Sequence, residues 1–200
     1  MIMKNPKPNA SLQQGTSEQK IRNLITYIAD QSKTLKAEGN PVILTNCVTS
    51  EIETAIEHMT VWATLRKATN QIRHVVISLD IADRILMPEE WQRVVDIYLE
   101  ARKVNGALYF AMIHIDGHDN RHPHHCHLAY TTSTCRERLV PTRFDADVHR
   151  KASRRAEREL GLVANRGNKY SGRNRLTQKM RRNRVGVDAP GHKSLPGTSK

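Results

Sequence analysis

The chain has 200 residues and a formal net charge of +12, enough for one ordinary domain with appendages and basic enough to point to a polyanionic partner, nucleic acid or anionic membrane. Aromatic residues make up 4% of it, which argues against a broad base-stacking platform, and no apolar run approaches the roughly 20 residues that a membrane-spanning helix needs. Its three cysteines, Cys47, Cys126 and Cys135, form no paired framework; they read as free thiols in a reducing cytoplasm.

Residues 1–18 are polar, include Pro6 and Pro8 and show neither periodicity nor the apolar core of a signal peptide, so a disordered segment is expected there. From Ile21 the pattern turns helical: Ile21, Leu24, Ile25 and Ile28 fall at i, i+3, i+4 and i+7. Tyr27 lies just off the edge of that stripe, where packing can hold the ring while its hydroxyl reaches a cleft; helix geometry alone makes it an ordinary boundary tyrosine. Gly39-Asn40-Pro41 closes a charged stretch as a turn. Residues 42–48 then read as a strand with Cys47 inside it. Ser50-Glu51-Ile52-Glu53 has the form of a capping box, opening a helix with Ile52, Ala55, Ile56, Met59 and Ala63 on one face.

Residues 72–79, rich in β-branched side chains, predict a second strand. Pro88 opens a helix at its favoured first position, with Trp91, Val94, Val95, Tyr98 and Leu99 as its buried stripe and Asn105-Gly106 as its stop. Two apolar runs within residues 107–132 predict two more strands, separated by a loop crowded with Gly, Asn and Pro. A final helix spans 144–160 and is stopped by Gly161. From Arg150 onward there are 15 Lys or Arg against Glu157, Glu159 and Asp188. That composition describes a basic, flexible tail over 164–200, appended to a domain over 19–163 and drawn to phosphate backbone without base specificity. The order helix, strand, helix, strand, helix, strand, strand predicts an α+β fold, a mainly antiparallel sheet flanked by helices.

The last two predicted strands carry the chemistry. Residues two apart in a strand share a face, so His114 and Asp116 point one way on the first, and His125 and His127 one way on the second. Paired as an antiparallel hairpin, the strands bring three imidazoles together on one sheet face. Neutral imidazole is the commonest side-chain metal ligand, and three leave coordination positions open for substrate. His118, His122 and His124 read as loop residues. His122 and His124 stay the alternative to His125 and His127, which are preferred because they lead directly into a strand while Pro123 suits a loop. A structural zinc site using Cys126 or Cys135 is disfavoured, since no Cys-x-x-Cys pair is present and Cys126 alternates away from its neighbouring histidines.

Tyr27-Ile28-Ala29-Asp30-Gln31-Ser32-Lys33-Thr34 with Thr45-Asn46-Cys47, then His74-Val75-Val76-Ile77-Ser78-Leu79, then His114-x-Asp116, Asp119-Asn120 and His125-Cys126-His127, resemble the three linked motifs of plasmid relaxases of the MOBP type. These are members of the HUH endonuclease superfamily. The resemblance runs from about Ile21 to Gly161. It implies an HUH-like fold and a strand-specific nickase that cleaves single-stranded DNA at an origin of transfer, through a 5′-phosphotyrosyl intermediate. It carries the nucleophile's role to Tyr27, the metal-ligand roles to His114, His125 and His127, substrate contact to Ser78 and ligand orientation to Asp116. A divalent ion is implied, Mg²⁺ by abundance or Mn²⁺ by the preference of imidazole.

Lys33 and the tail residues Arg173, Arg175, Lys179, Arg181, Arg182 and Arg184 are the expected DNA contacts, with relaxosome accessory proteins as partners and no membrane insertion. The loop between His114 and His125 is longer than in similar relaxases. Many of those carry further domains after the nicking domain, so a minimal relaxase domain is expected here, a natural short form or a fragment, needing other proteins for strand separation. Two other readings compete. Rolling-circle initiators and transposases of the HUH class commonly place the tyrosine after the histidines, against the order here. A non-enzymatic basic DNA-binding protein with a structural metal leaves the Tyr27 region unexplained.

Overall fold

The computed structural model describes residues 1–6, 12, 14–30, 42–65, 71–80, 82–114, 125–134 and 145–164. Lys33, the turn at 39–41, Asp116, the loop histidines, Cys135 and the basic tail all lie outside the described residues. The chain divides into two units, Met1–Asn165 and Arg166–Lys200, and every described residue belongs to the first.

In chain order the elements are β1 (Ile2–Lys4), α1 (Ser17–Ile28), β2 (Ile43–Thr45), α2 (Ile52–Thr64), β3 (Ile72–Ser78), α3 (Pro88–Arg102), β4 (Ala107–His114), β5 (His125–Thr134) and α4 (Asp145–Leu160). The five strands form one sheet in the order β1-β3-β5-β4-β2, antiparallel at every pairing. The fold is α+β, as the element order predicts.

Alternation along the strands makes two cores. Ile77, Ala111, Cys126 and Leu128 pack on one face beneath Trp91, Val94, Val95 and Tyr98 of α3 and Ala152 and Ala156 of α4. Phe110, Met112 and Ala129 point to the other face, under Ile21, Leu24, Ile25 and Ile28 of α1 and Ala55, Ile56 and Met59 of α2. Each large side chain so buried contributes on the order of 1.5–3 kcal/mol. The α3/α4 side also buries charge: Arg102 pairs with Asp145, whose carboxylate accepts from Asn5 at 2.8 Å and meets Arg73 at 3.4 Å. One carboxylate thereby ties the start of α4 to α3, β3 and the segment after β1.

Five expectations are corrected. The segment expected to be disordered contributes a strand: Ile2, Met3 and Lys4 pair with Ser78, Ile77 and Val76 along the edge of β3. Three residues are too few for periodicity to announce, but they satisfy backbone groups that β3 would otherwise leave at an edge. Helix α1 also begins early, at Ser17, because Gln19 N–H donates to Thr16 Oγ1 at 3.3 Å and Thr16 N–H donates to Gln19 Oε1 at 2.7 Å. Gly15 precedes this cap at φ +93°, where an added Cβ would meet Gln19 Oε1 at 2.2 Å, so only glycine fits the entry.

The strand expected over 42–48 is shorter, Ile43–Thr45, and Cys47 lies beyond it. There the Asn46 side chain takes over the pairing, donating to Ala107 O and accepting from Tyr109 N–H, both at 2.8 Å. The capping box at Ser50 does not form: Glu51 is the N-cap, without a side-chain cap, and its N–H donates to Thr49 Oγ1 at 2.9 Å. Helix α3 ends at Arg102, ahead of Asn105-Gly106, with Lys103 in the left-handed region at φ 62°.

Candidate active site

Helix α1 and strands β3, β4 and β5 build the site on the sheet face that α1 and α2 cover. In the hairpin His114 stands directly opposite His125, and Met112 opposite His127. The pleat then sends Ile113 and Cys126 to the other face, where both are buried. The imidazoles of His114, His125 and His127 lie with their centroids 4.7–5.2 Å apart, and one nitrogen from each falls within 4.8 Å of the others. His114 and His127 are buried and His125 is half-buried, so the cluster opens on the His125 side.

Hydrogen bonds orient two of these rings. His114 Nε2 is 2.9 Å from the carbonyl of Ile28. A carbonyl only accepts, so Nε2 carries the proton and Nδ1 the lone pair. The bond also fastens the last turn of α1 to the cluster, one residue past Tyr27. On His127, Nδ1 is 2.9 Å from Nε2 of His74. Burial, reinforced by repulsion from His114, lowers His74 to a pKa of about 4, so that ring is neutral near pH 7 and able to accept. The donor set fits a divalent ion: convergent imidazole nitrogens, with opposite ring atoms of two ligands held by hydrogen bonds as metal-bound histidines usually are. Imidazole favours Mn²⁺ and softer ions over Mg²⁺.

Tyr27 is half-buried at the edge of the α1 core. Its ring stands edge-on to His127 at 5.9 Å and to His74 at 6.1 Å between centroids, with interplanar angles of 75°. The tyrosine and the histidine cluster, 86 residues apart at their bonded neighbours Ile28 and His114, therefore share one site. Ser78 ends β3, half-buried and directly opposite His125 on the strand pairing, beside the cluster. His74 was legible only as part of a motif; its parity with Ser78 on β3 is the signal, but it locates His74 in the site only once β3 is known to pair with β5.

Other groups are excluded by environment. Burial pushes the Cys126 thiol up to about 12, against the thiolate that metal binding requires, and its side chain belongs to the far face. Tyr98 and Tyr130 meet in the buried interior beneath α3, hydroxyl to hydroxyl at 3.3 Å, and burial raises Tyr98 well above the ordinary phenol range. Tyr109 is buried on the same side, and its hydroxyl accepts from Gln92 Nε2 at 2.8 Å. Among the described residues no helix is long and apolar enough to cross a membrane.

A search among curated proteins finds none that matches the chain. The family model for the relaxase MobA/VirD2-like nuclease domain matches residues 27–162, a span that begins at Tyr27, contains all three motifs and ends just past α4. With more than half of its length matched in this way, the chain belongs to the family of MobA/VirD2-like relaxase nuclease domains.

Proposed function

We propose that the protein nicks single-stranded DNA at an origin of transfer by attack of Tyr27 on the scissile phosphate, initiating conjugative transfer. The observation that carries this reading is the convergence of the Tyr27 ring on His127 and His74, beside three imidazoles able to hold one cation. The Tyr27 phenol loses its proton, the phenolate oxygen bonds to phosphorus, and the bond from phosphorus to the 3′ oxygen breaks. The 5′ end stays on the tyrosine and a 3′ hydroxyl leaves. One phosphodiester replaces another, so the strand is rejoined by the reverse step without ATP.

Ionising a phenol of pKa ~10 at pH 7 costs on the order of 4 kcal/mol, which the site must offset. A divalent ion held by His114, His125 and His127, Mg²⁺ or Mn²⁺, supplies positive charge against the nonbridging phosphate oxygens and the developing transition state. Helix α1, anchored through Ile28 to His114, holds the tyrosine at the cluster and limits its search for the attacking geometry. Ser78 contacts substrate near the cleaved bond, and Asp116 orients a ligand histidine.

The catalytic domain spans 1–163, with β1 completing the edge of its sheet, acts in the cytoplasm and works with accessory relaxosome proteins. Its basic tail over 164–200 and Lys33 hold the DNA through phosphate contacts at Arg173, Arg175, Lys179, Arg181, Arg182 and Arg184. Incubation with single-stranded origin-of-transfer oligonucleotides and Mg²⁺ or Mn²⁺, followed by a denaturing gel, tests the reading. A protein–DNA adduct that needs the cation is expected. Binding without cleavage under all of these conditions would return the protein to the non-enzymatic class.

A further inference from the structure

His74 stands outside the three-imidazole set yet is joined to it. Its Nε2 lies 2.9 Å from Nδ1 of His127, and the two rings stack at 5.1 Å and 26°. The register explains the meeting: His127 is opposite Val76 and Ala129 opposite His74, so the two histidines are diagonal neighbours on one sheet face. Two neutral imidazoles in nitrogen-to-nitrogen contact share one proton, which resides on one ring or the other.

The two choices have opposite consequences for His127. With the proton on His127 Nδ1, its Nε2 keeps a lone pair for a cation. With the proton on His74 Nε2, His127 carries its own proton at Nε2 and cannot ligate there. His114 faces no such choice, because its partner is the Ile28 carbonyl, which can only accept. His127 depends instead on which tautomer His74 adopts.

We propose that His74 is a positioning residue of the cation site: protonated at Nδ1, it accepts the Nδ1–H of His127 at its own Nε2 and thereby presents His127 Nε2 to the ion. The proposal rests on the reading of His114, His125 and His127 as that site. The same pair supports the nucleophile's surroundings, since Tyr27 packs edge-on to both rings. A group that orients a metal-bound histidine in this way affects cation affinity before any DNA is present.

The test uses the full chain without DNA. Cation affinity is measured calorimetrically with Mn²⁺ for the wild type, His74→Phe and His74→Gln, and the His127 tautomer is read from ¹⁵N-histidine NMR of the cation-free protein. His74→Phe keeps a stacked ring but removes the acceptor; His74→Gln offers an amide oxygen in its place. His127 protonated at Nδ1 in the wild type is expected, with affinity falling about 10- to 100-fold in His74→Phe and within roughly threefold of wild type in His74→Gln. Wild-type affinity in His74→Phe overturns the proposal while leaving the cation site standing. A wild-type His127 protonated at Nε2 overturns it too, and does so even if His74→Phe does not fold. No Mn²⁺ binding by the wild type overturns the cation-site reading itself, and the inference with it.

Discussion

Replacement of His114 separates two roles held by one side chain. The ring is 1% exposed, its Nε2–H donates to the Ile28 carbonyl at 2.9 Å, and its Nδ1 is the atom left to meet a cation. His114→Ala removes both functions. Leaving a buried carbonyl without its donor costs about 1–3 kcal/mol, and truncating the ring adds on the order of 1–2 kcal/mol of lost packing. A loss of roughly 2–5 kcal/mol is a large part of the ~5–15 kcal/mol typical of a domain. His114→Gln is the informative partner, because its amide nitrogen reaches a position close to Nε2 and still donates to Ile28. Urea unfolding of the cation-free variants should place His114→Gln within about 1 kcal/mol of wild type, and His114→Ala far below it. Mn²⁺ calorimetry and adduct formation on a single-stranded oligonucleotide should fail in both. Equal destabilisation of the two variants would refute the Ile28 hydrogen bond as the stabilising contact, and wild-type Mn²⁺ affinity in His114→Gln would refute Nδ1 as a ligand.

Tyr27→Phe removes only the nucleophilic oxygen, so covalent adduct should vanish while filter binding of single-stranded DNA stays near wild type; an adduct formed at the wild-type rate would assign the reaction to another tyrosine. Gly15→Ala forces a side chain onto Gln19 at a positive φ and should destabilise the domain by about 1–3 kcal/mol, measured by urea unfolding, with a stability equal to wild type showing that the cap does not hold α1. His149 is lowered below its ordinary value, chiefly by burial, with Asp145 opposing and Arg102 and Arg73 assisting. The unfolded chain therefore takes up the proton first as pH drops, so this contribution is fully present above about pH 6.5 and is lost as pH falls towards the folded value. His149→Phe should flatten that part of the acid-stability curve, and an unchanged slope would remove His149 as its source. Deleting residues 169–200 should weaken DNA binding and reduce its salt dependence by about 0.7 log units per lost phosphate contact; an unchanged salt slope with collapsed single-turnover cleavage would assign the segment to the catalytic domain.

Local chemistry alone made the helices and the histidine pattern legible. The stripes of α1 and α3 follow from helical period, and Pro88 opens α3 where its missing N–H is harmless. The parity that puts His125 and His127 on one face and Cys126 on the other follows from the pleat of a single strand. What depended on long-range contacts could not be read this way. Residues 2–4 became a strand because β3 offered an edge, and β2 stopped at Thr45 because Asn46 found the backbone of β4. Tyr27 looked like any residue at the margin of an apolar stripe until the end of α1 met His114. His74 and Ser78 share a face by parity, but a strand's parity does not name its neighbour. Only the placement of β3 beside β5 turned that face toward the cluster, because strand order is set by how helices and sheet bury their apolar faces together, and no local period encodes it.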